Sequence, residues 1–387
     1  MTKLRAEHEL LLCIARKSLD EDVGDRVRRL VQQNIDWEYL IQSASAHGLL
    51  PLLATHLLNT AQPFLPEPIA QQLKTESINS SKSNIYLMGE LLRIQELFRA
   101  EKIRMLAFKG PILSKQIYGD LGLRQAGDID VLIPKQDFAR AKELLESDRY
   151  QMEPQLTSAQ QRSHLRFHCE IQFFNEDAFC VVDLHWGLTP RSFPFPLAFE
   201  ELWAQRNSIN FAGHEIQTFS DQDLLLYLCV HAAKHYWGKL EWVASVAELV
   251  RRTETLKWSA VFRRAEETNS KRILSLGLLL ASKLFQLELP RELDDWLKQS
   301  QDMRECALLL EENLFQNTVE HPSQIEMFRW NLQFMDRKQD AMTSLLRSVF
   351  VPTLSDWQGV ELRGPLYPLY FGVRPIRLLM KYGRAKE

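Results

Sequence analysis

The chain has little of what usually marks a protein out by composition. Its five cysteines, Cys13, Cys169, Cys180, Cys229 and Cys306, stand singly and form no CxxC pair. That excludes a disulfide framework and a thiolate zinc site. No dense Lys/Arg block interrupts the body of the chain, and 47 basic against 50 acidic residues leave a formal charge of −3. Proteins that grip long nucleic acid carry a basic stripe, so long nucleic acid is excluded as the main partner. A nucleotide, which needs only a few cationic groups, is not. The longest apolar run, ILSLGLLLA at residues 273–281, is too short for a membrane span, so no transmembrane contact is expected. The opening MTKLRAEHELLLCIARKSLD carries charges among its first residues and reads as an amphipathic helix rather than a secretory signal. Cytoplasm is the expected compartment.

What is present is an ordinary globular composition, 45% apolar and 25% charged over 387 residues, with a length that predicts two or three domains. Residues 1–100 read as helical. Asp36 caps the run WEYLI, Gly48 and Pro51 break it, and a long helix follows over 69–99 with Leu87, Leu91, Ile94 and Phe98 on one face. The pattern changes at Ile103. IRMLAF reads as a strand, Lys109-Gly110-Pro111 as a strand-to-helix turn, residues 128–133 as a second strand and 137–145 as a helix. After a polar, Gln-rich stretch, HCEIQFF and AFCVVDLHW read as antiparallel strands joined at NED. Residues 101–190 thus form an α/β core. Residues 191–316 form a C-terminal helical domain, with a short hairpin around Gly213 and a helix capped by Ser220. An aromatic and basic extension, 317–387, packs on the body. The fold class is α+β.

The chemistry concentrates in GDIDVLI and CVVDLHW. Side chains alternate along a strand, so Asp128 and Asp130 share one face about 6–7 Å apart, while Ile129, Val131 and Ile133 enter the core. Asp183 brings a third carboxylate from the neighbouring strand. Three unscreened acids repel one another and raise their own pKa values. A divalent ion with a phosphorylated ligand is the natural compensation, and hard carboxylate oxygens suit Mg²⁺. The plainer reading makes Asp128 a turn cap and Asp183 a solvent-facing strand residue. Gly110 allows close backbone approach, and the helix start after it favours an anion, although Pro111 removes one donor. Lys109 either touches a phosphate or ends a surface strand. Arg124 either bridges the loop to the acids or phosphate, or makes a structural salt bridge.

The run LAFKGPILSKQIYGDLGLRQAGDIDVLIPKQDFARAKELL, followed by VVDLHW and DLLLYLCVHAAKH, resembles the uncharacterised nucleotidyltransferase family of the DNA-polymerase-β-like superfamily. The resemblance implies a mixed sheet flanked by helices, a bound NTP with ATP as the expected co-substrate, and Mg²⁺ or Mn²⁺. Asp128 and Asp130 match the paired metal ligands and Asp183 the third carboxylate. Lys109 and Gly110 stand at the turn that approaches the triphosphate. The HAAKH stretch implies that Lys234 or His235 closes over the nucleotide. Where the family has an aspartate after this helix the chain has Ser245, so no role passes to it. His231 and His235, four apart, lack a third ligand and the glutamate of an HExxH site; read from the residues alone they are packed histidines. Trp237 and Trp242 read as packing residues, with base stacking the alternative. The tail, with Arg374, Arg377, Lys381 and Arg384 beside Ile376, Leu378 and Leu379, reads as docking its apolar residues and leaving the charges in water, with an anionic surface as the alternative.

The function implied is metal-assisted transfer of a nucleoside monophosphate from an NTP to a hydroxyl or similar acceptor on a small molecule, peptide or protein, with release of pyrophosphate. Transfer of the terminal phosphoryl group, as by a kinase, and an inactive nucleotide- or partner-binding module are the alternatives.

Overall fold

The structure, a computed structural model, describes residues 4–252, 256–298, 301–315, 324–360, 362 and 364–383. Four helices open the chain, α1 (Ala6–Ile14), α2 (Glu21–Val31), α3 (Trp37–Ala46) and α4 (Leu50–Thr60). Asp36 caps α3 by accepting from Tyr39 N at 3.0 Å, and Pro51 sits in the first turn of α4, where its missing N–H costs nothing. The 34-residue α5 (Glu67–Ala100) follows.

The strands then interleave with helices: β1 (Leu106–Ala107), α6 (Gly110–Tyr118), β2 (Ile129–Leu132), α7 (Phe138–Ser147), β3 (Gln151–Glu153), α8 (Ser158–Phe167), β4 (Glu170–Asn175) and β5 (Cys180–His185). They form one mixed sheet in the order β1-β2-β5-β4-β3. Only β2 and β5 run parallel, with Ile129 opposite Val182, Asp130 opposite Asp183 and Val131 opposite Leu184. The register sorts the two faces. Ile129, Val131, Val182 and Leu184 join Leu87, Leu91, Ile94 and Phe98 of α5 in one buried cluster, each worth on the order of 1.5–3 kcal/mol. Asp130 and Asp183 are left on the other face.

Beyond the sheet come α9 (Phe199–Ala204), the hairpin β6 (Asn207–Phe211) and β7 (His214–Thr218), then α10 (Asp221–Lys234), α11 (Leu240–Arg252), α12 (Trp258–Glu267) and α13 (Lys271–Phe285). The last helices are α14 (Glu292–Lys298), α15 (Gln301–Leu314), α16 (Gln324–Phe334), α17 (Lys338–Phe350), α18 (Leu354–Gly359) and α19 (Tyr370–Gly383). A second buried cluster joins Leu10, Leu53 and Leu57 of the opening helices to Leu225, Val246 and Leu278 of the later ones, and reaches Phe108 and Leu132 at the sheet. No helix among the described residues is long and apolar enough to cross a membrane.

Several boundaries differ from those read in the sequence. The second strand starts at Ile129, and Asp128 lies in the bend before it. The strand expected from IRMLAF is only two residues long, because just Leu106 and Ala107 find partners, in Leu132 and Val131. α10 stops at Lys234 because Tyr236 and Trp237 adopt positive φ angles of 55° and 54°. The Gln-rich stretch holds an edge strand with a single buried residue, Met152, and a helix whose capping box pairs Thr157 with Gln160. The tail departs from the expected docking of its apolar residues with the charges left in water: Ile376 and Leu379 are 55% and 74% exposed, while Arg374 donates to Asp356 Oδ2 at 2.8 Å and Arg377 to Asp356 Oδ1 at 2.6 Å, within the same extension. Arg384 and the side chain of Lys381 lie outside the described residues.

One polar side chain pins the segment that leads to the acids. Asn84, fully buried in α5, donates to Leu121 O and Arg124 O at 2.5 Å each and accepts from Ala126 N at 3.1 Å. Asn84→Ala leaves one N–H and two carbonyls without their partner. It is expected to cost roughly 3 kcal/mol, measured as a lower urea midpoint at unchanged slope.

Candidate active site

Three carboxylates meet at the start of the parallel strand pair. Asp130 is 2% exposed and Asp183 9%; Asp128, half-buried, enters from the bend. Asp130 and Asp183 owe their proximity to the ladder itself, which places them directly opposite. Asp128 is placed by a close backbone approach. Gly110, at φ +58°, lies so near that a Cβ on it would stand 2.4 Å from the Asp128 carbonyl oxygen. Only glycine accepts both that angle and that contact.

The charges around the acids are unevenly shared. Lys109 Nζ donates to Asp130 Oδ1 at 2.5 Å, and His185 Nε2 lies 3.1 Å from the same oxygen. Burial alone would raise the Asp130 pKa, but the Lys109 ammonium and the His185 hydrogen bond hold it well below the ordinary value. The pairing in turn raises the Lys109 pKa against its burial, with the Tyr227 phenol and Asp130 as the main causes. Asp183 is less well served: burial and the neighbouring Asp130 push it up against the weaker pull of His185 and a Gln172 hydrogen bond, and its Oδ1 is buried without a hydrogen-bond partner. Asp128 is pushed up to about 7 by burial and by the charges of Asp130 and Asp183.

This donor set fits a hard divalent cation. Asp183 offers an orphaned oxygen, Asp128 a carboxylate held near neutrality for want of positive charge, and Asp130 a carboxylate already ionised. Oxygen donors of Asp130 and Asp183 and a nitrogen of His185 all lie within 4.8 Å of one another. Asp130 and Asp183 would hold the ion; the Asp128 carboxylate stands outside the set of donors that meet within 4.8 Å.

The remaining residues singled out in the sequence divide. Lys109 and Gly110 join the acids, and Lys109 is mostly buried rather than ending a surface strand. Arg124 makes the structural salt bridge, pairing with Glu241 of α11; its Nη1 also donates to Gly110 O at 3.1 Å, so it fastens the glycine turn to the helical layer. Lys234 and His235 end α10. Lys234 is felt by Glu170, whose carboxyl, raised by burial, is brought below its usual range by His185, then Lys234 and Lys109. His235 stacks loosely with His231 at 4.8 Å and with Trp242 at 5.3 Å, and burial beside Lys234 and Lys109 lowers its pKa to about 4. Trp237 is fully buried and packs. Two residues the sequence reading passed over belong here, His185 and Glu170. The alternation in VVDLHW carried the signal for the first, since His185 follows Asp183 by two positions and shares its face.

A family model described as an uncharacterised nucleotidyltransferase matches residues 33–286, and the chain belongs to that family. The crystal structure of an antigenic nucleotidyltransferase-like protein from Paracoccidioides brasiliensis aligns at 13% identity over 56% of this chain and 94% of its own, with a TM-score of 0.31. No curated protein matches the chain.

Two outcomes follow for the protein without added cation. An acid whose folded pKa is raised binds more protons folded than unfolded, so stability falls as pH rises between the two values. For Asp128 that window runs from 3.8 to about 7. Asp128→Asn should flatten the decline of Tm with pH across it, and Mg²⁺ should raise the wild-type Tm most at the alkaline end; thermal scans from pH 5 to 8 measure both. Gly110→Ala should cost on the order of 1–3 kcal/mol and, by moving the Asp128 backbone, weaken Mn²⁺ binding as well, measured by urea denaturation and by the paramagnetic resonance of free Mn²⁺.

Proposed function

We propose that this protein transfers a nucleoside monophosphate from an NTP, with ATP the expected donor, to a hydroxyl or similar nucleophile on a small molecule, peptide or protein. The observation that carries the reading is the cross-strand pairing of Asp130 with Asp183, with a buried Asp183 oxygen left without a partner and Asp128 beside them. A Mg²⁺ or Mn²⁺ ion held there neutralises charge that builds on the transferred phosphoryl group and steadies the triphosphate.

The chain's own residues supply the rest. Asp128, Asp130 and Asp183 bind and orient. Asp183, whose free oxygen faces no competing donor, accepts the proton of the incoming hydroxyl. As the new oxygen–phosphorus bond forms at the α-phosphorus, the α–β bridge breaks and pyrophosphate leaves with the electron pair. Lys109, already on Asp130, keeps that carboxylate ionised, and its ammonium lies at the turn where phosphates would approach. The first turn of α6 supplies backbone N–H groups beyond Pro111. Lys234 and His235, at the end of the facing helix α10, are proposed to close over the nucleotide. Catalysis of this kind rests on positioning and electrostatics.

The test incubates the full-length protein with each α-labelled NTP, Mg²⁺ or Mn²⁺, and an extract of host cells. Wild type is expected to release pyrophosphate and leave a labelled monophosphate adduct. The variant Asp128→Ala with Asp130→Ala should give background only, and Asp183→Ala a loss on the order of 100-fold or more. ADP as the nucleotide product would instead identify terminal phosphoryl transfer. Failure of Mg²⁺-dependent nucleotide binding would leave a binding module.

A further inference from the structure

The buried charge does not stop at the acids. On β5, His185 lies two residues past Asp183 on the same face, and in the β4–β5 ladder Glu170 stands directly opposite it. Both ring nitrogens face carboxylates: Nε2 is 3.1 Å from Asp130 Oδ1 and Nδ1 is 3.1 Å from Glu170 Oε2. The ring is 1% exposed and held edge-on by Phe108, with centroids 4.9 Å apart. Its backbone is fastened too, since His185 O accepts from Ile133 N at 3.0 Å.

Resting on the cation-site reading above, we propose that Glu170 and His185 are positioning residues: the string Glu170–His185–Asp130 aims the Asp130 carboxylate at the cation. A carboxylate rotates freely about its last bond unless donors fix it. Here Lys109 and His185 both engage Oδ1, so the carboxylate is held by one of its two oxygens. Glu170 reaches none of the aspartates in this arrangement. It acts through the ring as a charge contact: its Oε2 lies 3.1 Å from Nδ1, outside hydrogen-bond geometry, and so favours the ring orientation that keeps the other nitrogen toward Asp130. Carboxylate–histidine pairs of this kind set ligand orientation at many metal centres, and their loss costs about 10–100-fold in metal affinity. Cys169, Glu170 and His185 also lie within 4.8 Å of one another, but this is a poor second cation site. The ammonium groups of Lys234 and Lys109 act on both Glu170 and Cys169, so positive charge is already in place.

The experiment measures Mn²⁺ alone, by electron paramagnetic resonance, on the full chain, with Tm recorded for each variant. Glu170→Ala and His185→Phe are each expected to weaken Mn²⁺ binding about 10–100-fold. His185→Gln, whose amide N–H reaches toward the place of Nε2, should retain more than His185→Phe. Glu170→Asp, which keeps a carboxylate facing the ring, should retain more than Glu170→Ala. Adding Glu170→Ala to His185→Phe should cost little further, because one string is already cut. Glu170 is partly exposed, so its variants report even where the buried ring tolerates no change. An unchanged Mn²⁺ affinity in Glu170→Ala overturns the proposal while leaving the three-acid site intact, as does full additivity of the two losses. Equal weakening by Cys169→Ser would move the ion to the thiol side and overturn it as well. A wild-type protein that binds no Mn²⁺ sinks both readings together.

Discussion

Everything at this site depends on one pairing, the parallel ladder between β2 and β5. It sets Asp130 against Asp183 in a sheet whose other face is sealed by α5. Two buried carboxylates side by side cost several kcal/mol unless positive charge reaches them, and the apolar residues between them cannot supply it. The chain tolerates the pair because the same strands bury Ile129, Val131, Val182 and Leu184 on the reverse face. The hydrophobic register that holds the sheet is thus the register that forces the acids together. A slip of one residue would turn the aspartates into the core and the aliphatics out of it.

The compensation is local and partial. Lys109 arrives because β1 ends as the chain turns into α6, and Gly110 lets that turn press against the Asp128 carbonyl. Arg124 and Glu241 tie the turn to α11, so the helical layer fixes the distance from which Lys109 acts. Asp130 is thereby satisfied, and Asp183 and Asp128 are not. The cluster does not close on itself, since Asp183 keeps a buried oxygen without a hydrogen-bond partner.

Most of this was legible in the chain, for physical reasons that also mark where legibility stops. Asp130 and Asp183 could be read as facing the same way because strand alternation is rigid, whereas Asp128, expected in the strand, lies in the bend before it. The long helix over α5 could be read because Leu87, Leu91, Ile94 and Phe98 keep their period for several turns. β3 and α8 could not, since an edge strand with one buried residue and a polar helix held by its Thr157–Gln160 cap leave no periodic signal. The partner of Arg124 could not either. Its pairing with Glu241 joins residues more than a hundred positions apart, and nothing local distinguishes an arginine aimed at a phosphate from one aimed at a glutamate. His185 was within reach, two residues past Asp183 on a strand already assigned. Glu170 was not, because its role depends on the β4–β5 register.

The helical layers explain why so small a sheet carries so large a chain. Five strands lying between Leu106 and His185 bury one face against α5, and α10 covers the other. Tyr227 packs on Phe108 at 5.2 Å, while the helix ends at Lys234 where Tyr236 and Trp237 turn through positive φ. The opening helices and α11 to α13 share one core with α10, so α10 cannot settle onto the acids without moving that whole layer. The cover is already close, since Asp130 and Asp183 are 2% and 9% exposed, and the Lys109 ammonium on Asp130 offsets part of what that burial costs.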